Sequence, residues 1–307
     1  RALPERVIDR QVFKDVRTVT KSDFDGFSAV VHLAAISNDP MGNSFARVTD
    51  EINCQSSIKI ANLAKSAGVR NYVFASSCSV YGAGSAFAKK EEDDLNPLTA
   101  YAKSKIDTEV GVEGLASEDF IVTCLRFATA CGFSDRTRLD LVVNDFVAGA
   151  ITNGVVSILS DGTPWRPLIH ISDMARAMDW AVSRESHNGG IMLVVNAGSD
   201  NWNYQVKDLA EVVAAEIPGT KVEINLSAPP DKRSYKVDFS KFKELAPNHQ
   251  PLVSLTEAVR GLRDGLLEMG FSDGEFRNSE FMRLNVLNDH IMSDRLTSNL
   301  TWVLKRS

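Results

Sequence analysis

Between Ala29 and Val195 short β-branched runs alternate with longer stretches of helical period, and no other feature of this 307-residue chain restricts its fold as tightly. Ala29-Val30-Val31-His32-Leu33 reads as a buried strand that runs into the loop Ala34-Ala35-Ile36-Ser37. Ile60, Leu63, Ala64 and Ala67 recur at i, i+3, i+4 and i+7, which predicts an amphipathic helix from about Phe45 to Ala67, ended by Gly68. Tyr72-Val73-Phe74-Ala75 is the next strand. Pro97 and Thr99 then mark a helix start, with Ala102, Ile106 and Val110 on the apolar face. Strands are predicted at Phe120 to Leu125, Val155 to Leu159 (turned at Asp161-Gly162) and Ile191 to Val195, and helices at Leu139 to Ile151 and Ser172 to Ser183. Repeated strand-helix-strand units of this kind build a parallel sheet. Beyond Asn201 the pattern is mixed, with a Pro229-Pro230 loop and helices near Ser254 to Met269 and Glu275 to Leu304.

Composition narrows the partners. A net charge of −6 and a pI near 5.5 argue against nucleic acid, whose backbone is bound by clustered Lys and Arg. Cys54, Cys78, Cys124 and Cys131 form no C-x-x-C pair and lie in apolar or small-residue stretches, which points to packing in a reduced, cytoplasmic setting and to no metal site. No apolar run is long enough to span a membrane, and the N-terminus has no signal-peptide core.

Open α/β sheets bind ligands outside the carboxyl ends of their strands, so the segments after Leu33, Ala75 and Leu125 are expected to line one crevice. Tyr101 and Lys105 stand four apart on a predicted helix and so share a face. A phenol ordinarily loses its proton near pH ~10, and an ammonium close by favours the phenolate by about 1–3 units. Removing hydride from a carbinol carbon requires a base at its hydroxyl, and Tyr101 is the candidate. Ser77, at the end of the preceding strand, is placed to hold the same oxygen. The spacing alone also describes a solvated ion-dipole pair. Against that, Tyr101 is the one tyrosine of five with Lys at i+4, and Ser76-Ser77 precedes it.

Val31-His32-Leu33-Ala34-Ala35, Phe74-Ala75-Ser76-Ser77-Cys78-Ser79-Val80-Tyr81-Gly82 and Tyr101-Ala102-Lys103-Ser104-Lys105 together resemble the extended short-chain dehydrogenase/reductases. Trp165-Arg166-Pro167-Leu168-Ile169-His170-Ile171-Ser172-Asp173 is similar to a signature of their sugar-nucleotide epimerase and dehydratase branch. The resemblance implies a Rossmann-like parallel sheet with a smaller mixed α/β region after it. Residues 1–134 would hold the dinucleotide, with 167–195 returning to the sheet, and 135–307 would hold the substrate. It implies NAD as cofactor, with NADP open, a nucleotide-diphosphate sugar as substrate, and a homodimer through the helices near Phe45 to Ala67 and Thr99 to Leu115.

Carried over by position, Tyr101 would be the base, Lys105 would lower its pKa and hold the nicotinamide ribose, and Ser77 would bind the reacting oxygen. Asp15-Val16 would meet the adenine, and Leu33-Ala34-Ala35 the pyrophosphate and ribose. Asn53, Ala75 and Phe127 would border the cofactor. Thr129, Asn144, Arg166 and Arg233 would border the substrate, a guanidinium fork being suited to paired phosphate oxygens. Rival accounts stand beside three of these: Asn53 as a side chain satisfying backbone groups, Phe127 as core, and Arg233 as a solvated surface group.

Two departures from the family pattern shape the reading. Where the 4,6-dehydratases carry Asp and Glu after the family hydroxyl, this chain has Cys78 and Ser79, so the acid that expels a hydroxyl is absent from its usual place. Epimerisation needs no such acid. Thr129 stands where 4-epimerases usually carry a substrate-contacting Asn, which puts the usual substrate in question. Further, nothing upstream of Asp15 resembles the Gly-rich turn that cradles a pyrophosphate, and the first residue is Arg. The expectation is that at least one βαβ unit is missing and that the chain as given binds cofactor weakly. A redox epimerase of a nucleotide sugar is therefore expected, ahead of a keto-reductase or dehydrogenase, a 4,6-dehydratase, and a non-catalytic ligand-binding protein of the same fold.

Overall fold

The structure, a computed structural model, describes residues 8–37, 39–83, 87–228 and 234–303. Strands β1 (Ala29–His32), β2 (Asn71–Ser77) and β3 (Ile121–Phe127) are joined through helical segments and pair in parallel. All seven residues of β3 are buried, as in a central strand covered on both faces. The first connection is α1 (Asp39–Ser44), α2 (Ala46–Thr49), one wide π-type turn over Asp50–Gln55, and α3 (Ser56–Ser66). The long helix expected from the periodicity is thus one path with a bulge at its middle. It stops where Gly68 takes φ +83°, a conformation that disfavours side chains.

Helix α4 (Ala100–Glu113) begins at Thr99, whose Oγ1 accepts from the backbone N–H of Ala102 at 3.1 Å. Its inward face is the expected one at Ala102 and at Ile106, which packs on the core, but not at Val110. Ala102, Lys105, Thr108, Glu109 and Val112 are buried, whereas Val110 is 66% exposed. The buried set follows the helical repeat against the sheet, and Val110 lies about 100° away from Glu109 around the axis.

After β3 come β4 (Thr129–Cys131), α5 (Val142–Asn153), β5 (Val155–Ile158), β6 (Trp165–His170), α6 (Ile171–Ser183) and β7 (Met192–Ala197). Strand β7 pairs in parallel with β3, giving the four-stranded order β1-β2-β3-β7. Then follow β8 (Asn203–Gln205), α7 (Val206–Glu216), β9 (Lys221–Ile224), α8 (Ser240–Leu245), α9 (Leu255–Glu268) and α10 (Arg283–Met292). These later elements build two small sheets, β4-β6-β8 and β5-β9, around a second core in which Val147, Leu168, Leu209, Leu262 and Leu266 are fully buried.

The C-terminal stretch departs from the single helix expected from Glu275 to Leu304. Phe276 is buried, and Phe281 and Met282 pack on the second core, so the chain is pinned there before α10 begins. Past Met292, Asp294 takes φ 53° and the chain doubles back, with Leu296 bridging Trp302. This arm reaches the first strand's connection: Leu284, Leu287 and Leu300 pack against Ile36, Met41 and Val48.

Candidate active site

Parallel strands deliver their carboxyl ends to one rim, and there the structure has a crevice of about 910 Å³, near the upper end of the ~300–1,000 Å³ usual for ligand cavities. Leu33 and Ala35 follow β1, Ala75 and Ser77 end β2 with Ser79 in the turn after it, Phe127 ends β3 and Thr129 begins β4; all line it, with Tyr101 and Lys105 from α4. Arg166 on β6 lines it too. A short turn, Cys78–Tyr81, forms the end of the β2 wall, where the Ser77 side chain accepts from the N–H of Ser79 at 3.2 Å. Gly82 closes that turn at φ 60°, and a Cβ there would lie 1.7 Å from the carbonyl oxygen of Asn96.

Lys105 is 3% exposed. Its ammonium donates to the carbonyl of Ala75 at 2.7 Å and lies 4.7 Å from the Phe74 ring centre and 5.5 Å from that of Tyr101. Burial pulls its pKa down to about 8, against the carboxylate of Glu109, which pushes it up. The Tyr101 phenol shifts the other way from the sequence expectation. Burial raises it above its ordinary value, and the influences opposing burial are a hydrogen bond with Ser77 and the charge of Arg138. The Lys105 ammonium is spent on the Ala75 carbonyl, and burial outweighs the influences that favour the phenolate. Below Lys105, His32 bonds Ser57 Oγ at 2.8 Å, and burial, aided by the Lys105 charge, lowers its pKa to about 4, so the ring is neutral.

Five other predicted residues lie elsewhere. Asn53 is 1% exposed and spends its amide on the strand-end loop and α4: Oδ1 accepts from the Ile36 N–H at 2.8 Å, and Nδ2 donates to the Ile36 carbonyl at 2.9 Å and to Ser104 Oγ at 3.2 Å. Asn144, likewise 1% exposed, donates to the carbonyls of Gly132 and Arg138 and accepts from the Gly132 N–H, so it straps two loops together and does not line the crevice. Asp15 is engaged by the Arg17 guanidinium at 2.6 Å, which also reaches the carbonyl of Leu300, and Val16 packs on the core below α3. Ala34 is not part of the crevice wall. Arg233 and the Pro229-Pro230 loop fall outside the described residues.

The crevice also holds residues that the sequence reading passed over. Arg138 forks onto Asp140, with both contacts at 2.9 Å, and donates through Nη1 to Ser37 Oγ at 3.1 Å. Arg277 forks onto Asp145 at 2.8 and 2.7 Å. Burial raises the Asp145 pKa, opposed by that Arg277 contact. Ser79 Oγ is buried without a hydrogen-bond partner. An Arg-x-Asp pair in the loop where the chain changes character was the available signal for Arg138. Arg277 is 132 residues from its partner and gave none.

The geometry offers a phenol, a hydroxyl beside it, a buried ammonium, and arginines within one cavity. Among the described residues no group of three or more His, Cys, Asp or Glu could hold a metal ion, and no helix is long and apolar enough to cross a membrane. Comparison with known proteins adds the following. The profile of the "NAD dependent epimerase/dehydratase family" matches residues 8–198. The UDP-glucose 4-epimerase of Corynebacterium glutamicum is 26% identical over 202 residues, 61% of this chain and 60% of that protein. The UDP-glucuronate 4-epimerase of Thermodesulfobacterium geofontis is 24% identical over 259 residues, 82% of this chain and 76% of that one. Among solved structures, MoeE5 in complex with UDP-glucuronic acid and NAD superposes with a TM-score of 0.74 at 24% identity, covering 88% of this chain and 89% of its own.

Proposed function

The chain belongs to the NAD-dependent epimerase/dehydratase family, and on that premise we propose that it epimerises a nucleotide-linked sugar, at carbon 4, through a transient keto form. The observation that carries the reading is the convergence of Tyr101, Lys105 and Ser77 on one crevice, with Cys78 and Ser79, and no carboxylic acid, immediately after Ser77 in the chain. The residues present suit a nicotinamide dinucleotide: Leu33, Ala35 and Ala75 give a small-residue wall beside the Lys105 ammonium, with Phe127 next to them. NAD held there would supply the hydride acceptor and donor.

The chain's own groups handle the proton and the orientation. Ser77, hydrogen-bonded to Tyr101, fixes the sugar hydroxyl against the phenol. Tyr101 takes the hydroxyl proton as the carbinol becomes a ketone and gives it back on reduction from the other face. Burial that holds the phenol above its ordinary pKa keeps it protonated in the resting chain and makes it the weaker acid and its phenolate the stronger base. Lys105, anchored on Ala75, supplies a fixed positive charge behind both. Elimination would need an acid at 78 or 79, and a thiol pushed up by burial and a neutral hydroxyl stand there.

The reading assigns the dinucleotide to residues 1–134 with 167–195, and the substrate to the rest. It includes a cytoplasmic setting, supported by four buried free cysteines, and a homodimer through α3 and α4, where Val110 stands exposed. The test is incubation with NAD and UDP-glucose or UDP-glucuronate, following the sugar by NMR and NADH by absorbance. A C4 epimer without accumulating NADH is expected, and Tyr101→Phe is expected to lower turnover by roughly 10²–10⁴-fold with an unchanged unfolding midpoint. Stoichiometric NADH would favour a dehydrogenase instead, and absence of both product and binding would end the proposal.

A further inference from the structure

Tyr101 is the second residue of α4, in the first turn, and helix ends fray first, so whatever holds that turn decides where the phenol points. The holding group comes from α1. Asp39, its first residue, lines the crevice with Tyr101 and accepts from Thr99 Oγ1 at 2.7 Å. Thr99 has one hydroxyl proton; given to Asp39, it leaves the oxygen's lone pairs to the Ala102 N–H, 3.1 Å away. One turn along α1, Gly42 lies flush against the start of α4: a Cβ there would sit 3.0 Å from both Cβ and N of Tyr101. From behind, Met41 packs with Leu284, Leu287 and Leu300 of the C-terminal arm. The arm is tied down in turn, its carbonyls at Asn299 and Leu300 accepting from Arg17 at 2.8 and 3.0 Å. Helix α1 is thus a wedge between the arm and the helix that carries the phenol.

We propose that Asp39 is a positioning residue for Tyr101: by accepting from Thr99 it fixes the first turn of α4, and with it the phenol, in the orientation that proton transfer needs. This role rests on the epimerase reading above and adds to it a residue that works through Thr99. The charge of Asp39 has a separate consequence. Burial is the largest influence on the phenol; Ser77 and Arg138 favour the phenolate, while Asp39 and then Cys78 oppose it. Lys105, on α4 itself, is turned to the Ala75 carbonyl, and Tyr235, the other phenol nearby, is itself pushed up by burial. The carboxylate therefore does two separable things. As an acceptor it orients Tyr101, and as an anion it helps to keep the phenol protonated.

The experiment measures kcat and KM with NAD and UDP-glucose or UDP-glucuronate, and titrates the Tyr101 phenol without cofactor by tyrosinate absorbance, taken as the difference from Tyr101→Phe. Asp39→Ala, which loses both acceptor and charge, is expected to lower kcat about 10–100-fold with KM changed by less than about 3-fold. Asp39→Asn, whose amide oxygen still accepts from Thr99, should recover kcat to within about 3-fold of wild type, and its phenol should titrate at least about half a unit lower, because the opposing anion is gone. Gly42→Ala, which presses a methyl on Tyr101 from outside the crevice wall, should lower kcat about 3–10-fold with KM nearly unchanged. If Asp39→Ala fails to fold, the Asp39→Asn titration and the Gly42→Ala loss decide alone. Equal losses in Asp39→Ala and Asp39→Asn, or a rise in KM with kcat kept, would place Asp39 on the sugar and overturn the inference, as would wild-type kcat in Asp39→Ala or an unmoved phenol in Asp39→Asn. If the wild type turns over neither sugar nucleotide, the epimerase reading falls, and this inference with it.

Discussion

Two polar clusters share the ends of β2 and α4, one residue apart on the strand and one turn apart on the helix, and they are built on opposite rules. Ser76 faces inward and donates to Glu109, which is forked by Arg126 at 3.1 and 2.8 Å; Arg126 in turn donates to the Tyr81 hydroxyl, and Tyr81 to Asn196 at 2.7 Å. Asn196 uses its amide on the carbonyls of Lys89 and Asp238. Every member of that chain has partners within the protein. Ser77, on the other face of the same strand, looks with Tyr101 and Lys105 into the crevice, where Ser79 Oγ has no partner. A closed network fixes geometry, and the crevice side is not closed in this way. The alternation of faces along β2 is what lets one strand end serve both.

The largest effect should come from opening the closed cluster. Arg126 and Glu109 have side chains only 5% and 6% exposed. Arg126→Met removes one partner and leaves a buried carboxylate uncompensated, which typically costs about 3–5 kcal/mol. Denaturant unfolding should show that loss, while Arg126→Met paired with Glu109→Gln should recover much of it. If the single variant unfolds like wild type, the inner cluster is not a scaffold and the contrast dissolves.

Lys105 stands on the border between the clusters and offers a middle-sized test. Its pKa in the folded chain is about 8 against an ordinary ~10.4, so between those values the unfolded chain binds more protons. Stability therefore rises with pH across that window, and below about pH 8 the buried charge is a cost. A Lys105→Met variant should be more stable than wild type near neutrality, with the gap closing by about 1–3 kcal/mol toward pH ~10. Turnover of the wild type should move oppositely, falling above pH ~8 as the ammonium is lost. A gap that does not change with pH would mean Lys105 is neutral or solvated in the folded chain.

Much of this was legible in the amino-acid order, and the exceptions share a cause. The strands were legible because buried parallel strands are continuous apolar runs. The grouping of Tyr101, Lys105 and Ser77 was legible because a helical i+4 spacing and a strand end are local features. Asn53 and Asn144 were read as ligand contacts, yet their amides are consumed by loops 17 and 12 residues away, which no local spacing reports. Val110 was placed inward because α4 buries Lys105, Thr108 and Glu109, reversing the polarity that periodicity relies on. The predicted direction of the Tyr101 shift failed for the same reason: proximity in sequence gave the ammonium, but burial, which local spacing does not report, raises the phenol against Ser77 and Arg138.

The smallest expected effect is the most discriminating for the open end. In a scaffold, removing a buried hydroxyl deletes a hydrogen bond and costs about 0.5–1.5 kcal/mol. Ser79 Oγ has no bond to delete, so Ser79→Ala sheds only a desolvated polar atom, and unfolding free energy should stay level or rise by up to about 1 kcal/mol. The methylene and the backbone turn to Ser77 are kept, so any loss of ligand affinity without loss of stability isolates the hydroxyl. A destabilisation comparable to that of the inner cluster would place Ser79 in the scaffold and leave the crevice wall with no unsatisfied donor.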